Sequence, residues 1–392
     1  MTKRVVVLGG GVGGTLVANL LVKKLRPGEA EVVLIDEDAQ HVYQPGFLYV
    51  AFGQKQPANL TRPVRSLLDR RVRILTAKAQ RIDPTAQVIA TDHGDVHYDE
   101  LVVATGSHLA PDEIPGLKEA THHFYTAEGA QALHEALKQF RGGHVVVGVA
   151  GVPYKCPPAP LEFVLMLDAE LRAKGLRDKT EIHFVSPLPR VFPIETVAVK
   201  VAPIMESRGI QIHTFFNVES VDPKRREVVS LEGETVPYDL LVLIPPHRGA
   251  KVVIDSGLGE AGGWISTDRR TLKATAHPRM FVVGDATNLP ISKSGSAAHF
   301  EADALVANLI ADLRNESQEH KYNGKIMCFL ETGAGKATLL DFDYNHPPQP
   351  PEPNRMYHWQ KALFNQFYWW TVPQGRLPGE KQTKEQQEKA GD

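Results

Sequence analysis

The feature that most constrains this chain is its opening: the apolar run Arg4-Val-Val-Val-Leu8 breaks into Gly9-Gly10-Gly11-Val12-Gly13-Gly14. A short aliphatic run bounded by turn residues suits a strand buried on both faces. Thr15 to Leu25 reads as a helix, and Glu31-Val-Val-Leu-Ile35 reads as a second strand ending in Asp36. Strand, glycines, helix, strand and acid in this order make a βαβ dinucleotide-binding unit. Gly9 permits the tight turn, Gly11 lets backbone approach a pyrophosphate, and Gly14 allows close helix–strand packing. Asp36 is then placed to hold a ribose hydroxyl.

The chain also repeats itself. Arg81-Ile-Asp83-Pro84, Gly94, Tyr98-Asp99 and Leu101-Val-Val-Ala-Thr-Gly106 are echoed by Ser220-Val-Asp222-Pro223, Gly233, Tyr238-Asp239 and Leu240-Leu-Val-Leu-Ile244. Each copy reads as an antiparallel ribbon that turns at its glycine and runs into a buried strand. Two more apolar strands, Val145 to Gly148 and Glu181 to Val185, belong with the second copy. Arg279-Met-Phe-Val-Val-Gly284-Asp285 would return the chain to the first unit, ahead of a helix over Ala297 to Leu313. The expected fold class is therefore α/β, with two Rossmann-like dinucleotide-binding domains, the first of them discontinuous. It would comprise residues 1–107 and 250–315, with the second domain at 108–249.

The second unit lacks what a pyridine nucleotide needs. Its loop reads Gly148-Val-Ala-Gly151-Val-Pro153-Tyr-Lys-Cys156-Pro157-Pro158-Ala-Pro160, where four prolines remove amide donors and Pro153 takes the third glycine position. Cys156 and Cys328 are the only two cysteines of the 392 residues. They are too few for a disulfide scaffold and wrongly spaced for a zinc site, so no metal centre is expected. Either both are inert small hydrophobes or they work as a pair.

Beyond a proline-rich linker, Pro347 to Pro353, the residues Met356, Trp359, Leu363, Phe367 and Trp370 recur at helical spacing on one face, with Lys361, Asn365 and Gln366 opposite. Such a stripe suits either a core or dimer contact, or an amphipathic helix lying in a membrane interface. We place this segment at 316–378 and expect residues 379–392 to be a disordered tail. With 44 basic and 46 acidic residues, no basic field exists to collect nucleic acid. No apolar run is long enough to span a bilayer, and Val5 to Leu8 is too short for a signal peptide.

The Gly9/Gly11/Gly14 loop with Asp36, Ala104-Thr105-Gly106 and Gly284-Asp285 together resemble the pyridine-nucleotide-disulfide oxidoreductase superfamily over residues 1 to about 315. The resemblance implies bound FAD, with the two later motifs flanking its pyrophosphate and ribityl chain and Glu37 and Pro45 among the cofactor-binding residues. Cys156 in Tyr154-Lys-Cys-Pro-Pro-Ala-Pro-Leu-Glu162, and Cys328 in Gly324-Lys-Ile-Met-Cys-Phe-Leu-Glu-Thr-Gly333, resemble the sulfide:quinone oxidoreductase family. That resemblance implies a Cys156–Cys328 redox pair across the flavin and Lys293, in Lys293-Ser-Gly295, at the flavin's pyrimidine end. It also implies sulfide as substrate, a membrane quinone as acceptor, and a monotopic attachment for which the cytoplasmic face is favoured. Many members carry a further cysteine before the second domain, and none precedes Cys156 here, so no mechanism with a third thiol is implied.

Among acid–base candidates, Glu162 either manages protons with a raised pKa or is a carboxylate favoured by a helix N-terminus. His247 either keeps sulfide or a thiol deprotonated or is a solvated loop residue. The competing functions are an NADH:quinone oxidoreductase, a sulfide dehydrogenase with a cytochrome acceptor, and a flavin sensor without turnover. A homo-oligomer is compatible with all of them.

Overall fold

A computed structural model describes residues 2–317 and 319–377. The expected tail at 379–392 lies outside these. The glycine-flanked aliphatic run forms the strand Lys3–Leu8, whose Val5, Val6 and Val7 are wholly buried. It lies between the parallel strands Ala30–Asp36 and Glu100–Val103. Arg73–Thr76 continues the sheet on one side, and His277–Val282 followed by Lys273–Ala274 completes it on the other. Distant parts of the chain thus share one sheet, because a strand from near residue 280 pairs with one from near residue 100.

The second sheet is also parallel, in the order Ile210–His213, Thr180–Val185, Gly143–Val149, Leu240–Ile244. Each unit carries the expected antiparallel ribbon, which has three strands. Residues 79–97 form one and 218–237 the other, turning near Gly94 and Gly233. The two segments that pass between the sheets, Ser107–Leu109 and His247–Gly249, pair antiparallel with each other.

The later chain ties the units together. The helix Gly295–Arg314 packs on the helix Val12–Lys24. A hairpin, Ile326–Gly333 with Lys336–Phe342, lies on the helix Pro158–Ala173 of the second unit. Across that hairpin runs the helix Arg355–Phe367. The proline segment before it packs against the body, since Thr196 and Thr338 donate hydroxyl hydrogen bonds to the carbonyls of Pro348 and Pro351 at 2.6 Å. No helix among the described residues is long and apolar enough to cross a membrane.

Candidate active site

The glycine loop has the shape a dinucleotide requires. Gly9 has φ +111°, and a Cβ there would lie 2.5 Å from the Ala104 carbonyl oxygen. A Cβ on Gly14 would lie 1.8 Å from the Gly9 oxygen, so this glycine is what lets the helix start against the loop. A Cβ on Gly11 would meet nothing within 4 Å, leaving an open approach to the first turn of Val12–Lys24, whose N-cap has no side-chain hydrogen bond. The first-turn amides are available to an anion. Thr105 Oγ1 is buried without a partner in the adjoining segment. These residues fit the pyrophosphate of a bound dinucleotide.

Asp36 accepts a hydrogen bond from the Gly10 amide at 2.6 Å, so it holds the loop's shape, and burial raises its pKa. Glu37 is exposed and pairs with Lys78 at 2.7 Å. Pro45 is exposed in the short turn Gln44–Gly46. Gly284 and Asp285 form the turn after His277–Val282, where Ser107 Oγ donates to Asp285 at 3.4 Å. Gly106 has φ +65° beside it.

Lys293 is no surface lysine. It is buried, donates to the Thr287 carbonyl at 2.6 Å, and sits 4.0 Å from the centre of the Trp264 ring. Burial lowers its pKa. Its own carbonyl accepts from the Cys156 amide at 2.7 Å, which ties the proline-rich loop of the second unit to the first. Cys156 is held at φ +52°, a conformation sparsely used by non-glycine residues and concentrated at functional sites.

Cys328 reaches the same place from the hairpin. Both cysteines are thiols, each packed against the same apolar cluster. Burial pushes both pKa values up, Cys328 to about 11, and the neighbouring Glu162 carboxylate adds to this in each case. Cys328 also raises Cys156 through its own charge, as a thiol close by does. Three influences oppose the rise at Cys328: the Lys361 ammonium and the hydroxyls of Ser296 and Ser294. Ser294 is the N-cap of Gly295–Arg314, so this thiol faces the positive end of a helix.

Glu162 is buried in Pro158–Ala173 and forms an ion pair with Lys361 of the C-terminal helix. It also accepts from the Glu331 amide at 2.7 Å. Burial raises Glu162; burial would also strip the proton from Lys361, but the charges of Glu162, Tyr49 and Glu331 and the hydrogen bond to Glu162 together more than reverse this and keep the ammonium. Beside them Glu331 accepts from Tyr49 at 3.2 Å and contacts His358 at 3.0 Å. Glu162 therefore faces a buried cation, which distinguishes it from a carboxylate placed only to suit a helix dipole.

The reading of His247 as a solvated loop residue is corrected. It is fully buried, with Nδ1 3.0 Å from the Pro245 carbonyl, Nε2 without a hydrogen-bond partner, and its ring edge-on to Tyr125. Burial holds its pKa at about 3, so it stays neutral. Tyr125 in turn donates to the Lys155 carbonyl at 2.9 Å, next to Cys156. Sequence reasoning gave no site role to Lys361, Glu331, His358, Ser294 or Ser296: Lys361 and the serines reach Cys328 from other segments, and Glu331 and His358 meet beside the Glu162–Lys361 pair only through the stacking of the hairpin and the C-terminal helix.

A flavin-type loop, a dismantled second nucleotide loop and two converging thiols define a two-dinucleotide-domain oxidoreductase. Residues 3–302 match the family model for pyridine nucleotide-disulphide oxidoreductases, and the chain belongs to that family, whose cofactor is FAD. Within it, the chain is 29% identical over 384 residues to the mitochondrial sulfide:quinone oxidoreductase of Mus musculus, covering 93% of this chain and 85% of that protein. It is 27% identical over 394 residues to the corresponding protein of Dictyostelium discoideum, covering 96% and 87%. The crystal structure of the sulfide:quinone oxidoreductase from Aquifex aeolicus superposes with a TM-score of 0.86 at 26% identity, covering 96% of this chain and 93% of that one.

Proposed function

We propose that this protein oxidises sulfide to sulfane sulfur through Cys156 and Cys328 and passes the electrons by way of FAD to a membrane quinone. The observation that carries this reading is the convergence of the two thiols on Lys293, Glu162 and Lys361, in a unit whose nucleotide loop is occupied by proline. The similarity to sulfide:quinone oxidoreductases over nearly the whole chain supports the same substrate and acceptor. The proline-filled loop argues against NADH as donor.

With the cysteines bridged, HS⁻ attacks one sulfur; a new S–S bond forms, the Cys–Cys bond breaks, and a persulfide and a thiolate result. FAD, when bound, would supply the two-electron sink that lets the persulfide and the thiolate close into a bridge containing the added sulfur, with one proton released. A buried thiol is a poor leaving group, and the Lys361 ammonium offsets this by stabilising the departing thiolate. Quinone reduction takes up two electrons and two protons, and the buried Glu162–Lys361 pair holds exchangeable protons beside the thiols. Neutral His247, with an unpartnered Nε2, offers a hydrogen-bond acceptor beside Tyr125 without adding charge. At the cofactor, Asp36 shapes the loop for the pyrophosphate, and Lys293 supplies positive charge where a reduced flavin gathers negative charge.

The outer face of the C-terminal helix supports a membrane acceptor. Met356, Trp359, Leu363, Phe367 and Trp370 are all exposed, Trp359 by 65%, whereas Lys361 and Asn365 face inward and Gln366 lies at the exposed flank. An exposed aromatic stripe over a polar inner face suits insertion into a lipid interface, giving monotopic attachment. Cys156→Ser and Cys328→Ser test the chemistry: each should keep its yellow colour yet lose sulfide-dependent bleaching, because a hydroxyl neither bridges nor leaves. Near-normal bleaching in either variant would make the pair structural.

A further inference from the structure

We propose that His144, Glu181 and His183 form a binding site for a divalent cation of the zinc type, backed by His213 and Glu234. The site is distinct from the redox centre. It lies on the face of the second sheet that carries Val146 and Val185, covered by the ribbon of residues 218–237. Register sets it up: His144 lies opposite Glu181, His183 is two residues further along that strand, and His213 lies opposite Val185 on the next strand. The three imidazoles therefore run diagonally across adjacent strands, with ring centres 5.8 and 5.3 Å apart.

One ligand atom from each of His144, Glu181 and His183 lies within 4.8 Å of the other two. His183 is 6% exposed, and its Nε2 is buried with no hydrogen-bond partner; the same holds for Nδ1 of His144. A Glu181 oxygen lies 3.7 Å from that Nδ1 and 3.9 Å from that Nε2. These separations are too long for hydrogen bonds. They lie within a few tenths of an ångström of the roughly 3.4 Å that separates ligands of a tetrahedral zinc bound at about 2.1 Å. Gln211 Nε2 reaches the same carboxylate at 3.4 Å.

The outer pair prepares the lone pair that a metal needs. The Glu234 carboxylate can only accept, so Nδ1 of His213 donates to it. In neutral His213 the other nitrogen is then an acceptor, and it takes the hydrogen of His183 Nδ1 at 3.1 Å. That leaves the bare nitrogen of His183 at Nε2, the atom aimed at Glu181 and His144. Metal-binding histidines characteristically donate their second nitrogen in this way. Two imidazoles and a carboxylate suit zinc and its neighbours in the transition series. His144 is the second residue of its strand, whereas the Cys156 loop leaves the opposite end. A bound cation would accordingly clamp strands Gly143–Val149 and Thr180–Val185 and take no part in electron transfer.

The test uses untagged, FAD-loaded full-length protein, stripped with chelator and titrated calorimetrically with Zn²⁺, with Co²⁺ as the optical probe. The expected result is one ion per chain and a cobalt spectrum of nitrogen and oxygen ligation. Glu181→Gln and His144→Gln should each weaken binding about 100-fold, and Glu234→Gln about 10- to 100-fold, as loss of an outer partner does. The Glu181 and Glu234 side chains are largely exposed, at 61% and 47%, so these variants should fold, with flavin absorbance as the check. Absence of stoichiometric binding, equal affinity in Glu181→Gln, or a cobalt spectrum dominated by thiolate charge transfer would overturn the site.

Discussion

Lys361 is enclosed with Glu162 and lies near Tyr49 and Glu331, and an ammonium so placed is stable only while its carboxylate partner is present. Lys361→Met would leave Glu162 buried and unpaired and remove the cation that moderates both thiols. We expect a loss of about 3–5 kcal/mol in unfolding free energy, read by urea denaturation, with slower sulfide-dependent flavin reduction in whatever fraction remains folded. Unchanged stability would mean that Glu162 is neutral in the native protein. The residue scale was also where the sequence was least complete. Cys156 and Glu162 stand close together in one proline-marked loop and helix, so their association was legible. Lys361 was not, because its partner lies 199 residues away and the pairing depends on how a hairpin and a helix stack. His247 was seen but its environment was not, since burial at a crossing between two sheets leaves no periodic trace in three residues.

Strands and helices with strong local signals were read closely: the expected helix over 15–25 is Val12–Lys24, and the expected strand over 31–35 is Ala30–Asp36. The hairpin that carries Cys328 was not anticipated, because its partly buried strands mix polar and apolar residues without clean alternation. The aromatic stripe was legible from spacing alone, while its direction required the structure. Replacing Trp359 and Phe367 together by Glu should cost little stability, since both are exposed, but should release the protein from quinone-containing liposomes in co-sedimentation. Retained binding with normal quinone turnover would remove the membrane role of this helix. Substitution is preferable to truncation, because the same segment supplies Lys361, and Tyr368 hydrogen-bonds His41 at 2.7 Å. A second element-level test concerns Glu100, fully buried and paired with Arg279 from the neighbouring strand at 2.7 Å. Burial raises its pKa to about 7 from the ordinary 4.5. Because the folded value exceeds the unfolded one, its contribution favours folding less as pH rises from about 4.5 to 7, by about 3 kcal/mol in all. Glu100→Gln should remove that decline, measured as unfolding free energy against pH; parallel curves for the two proteins would contradict it.

At the scale of the molecule, both nucleotide-type units and the return of the chain to the first sheet near residue 280 were legible, because glycine loops, repeated ribbons and Gly-Asp turns are local signals. The assembly around them was not, since the C-terminal hairpin and helix close over the cysteines only through contacts distant in sequence. The account's central claim is that this assembly takes electrons from sulfide rather than from a pyridine nucleotide and hands them to a quinone. Anaerobic titration of the FAD-loaded protein, followed by the flavin absorbance, tests it most directly. Sulfide should bleach the flavin, a subsequent addition of quinone should restore its absorbance, and NADH in place of sulfide should leave it oxidised. Bleaching by NADH with no response to sulfide would contradict the account.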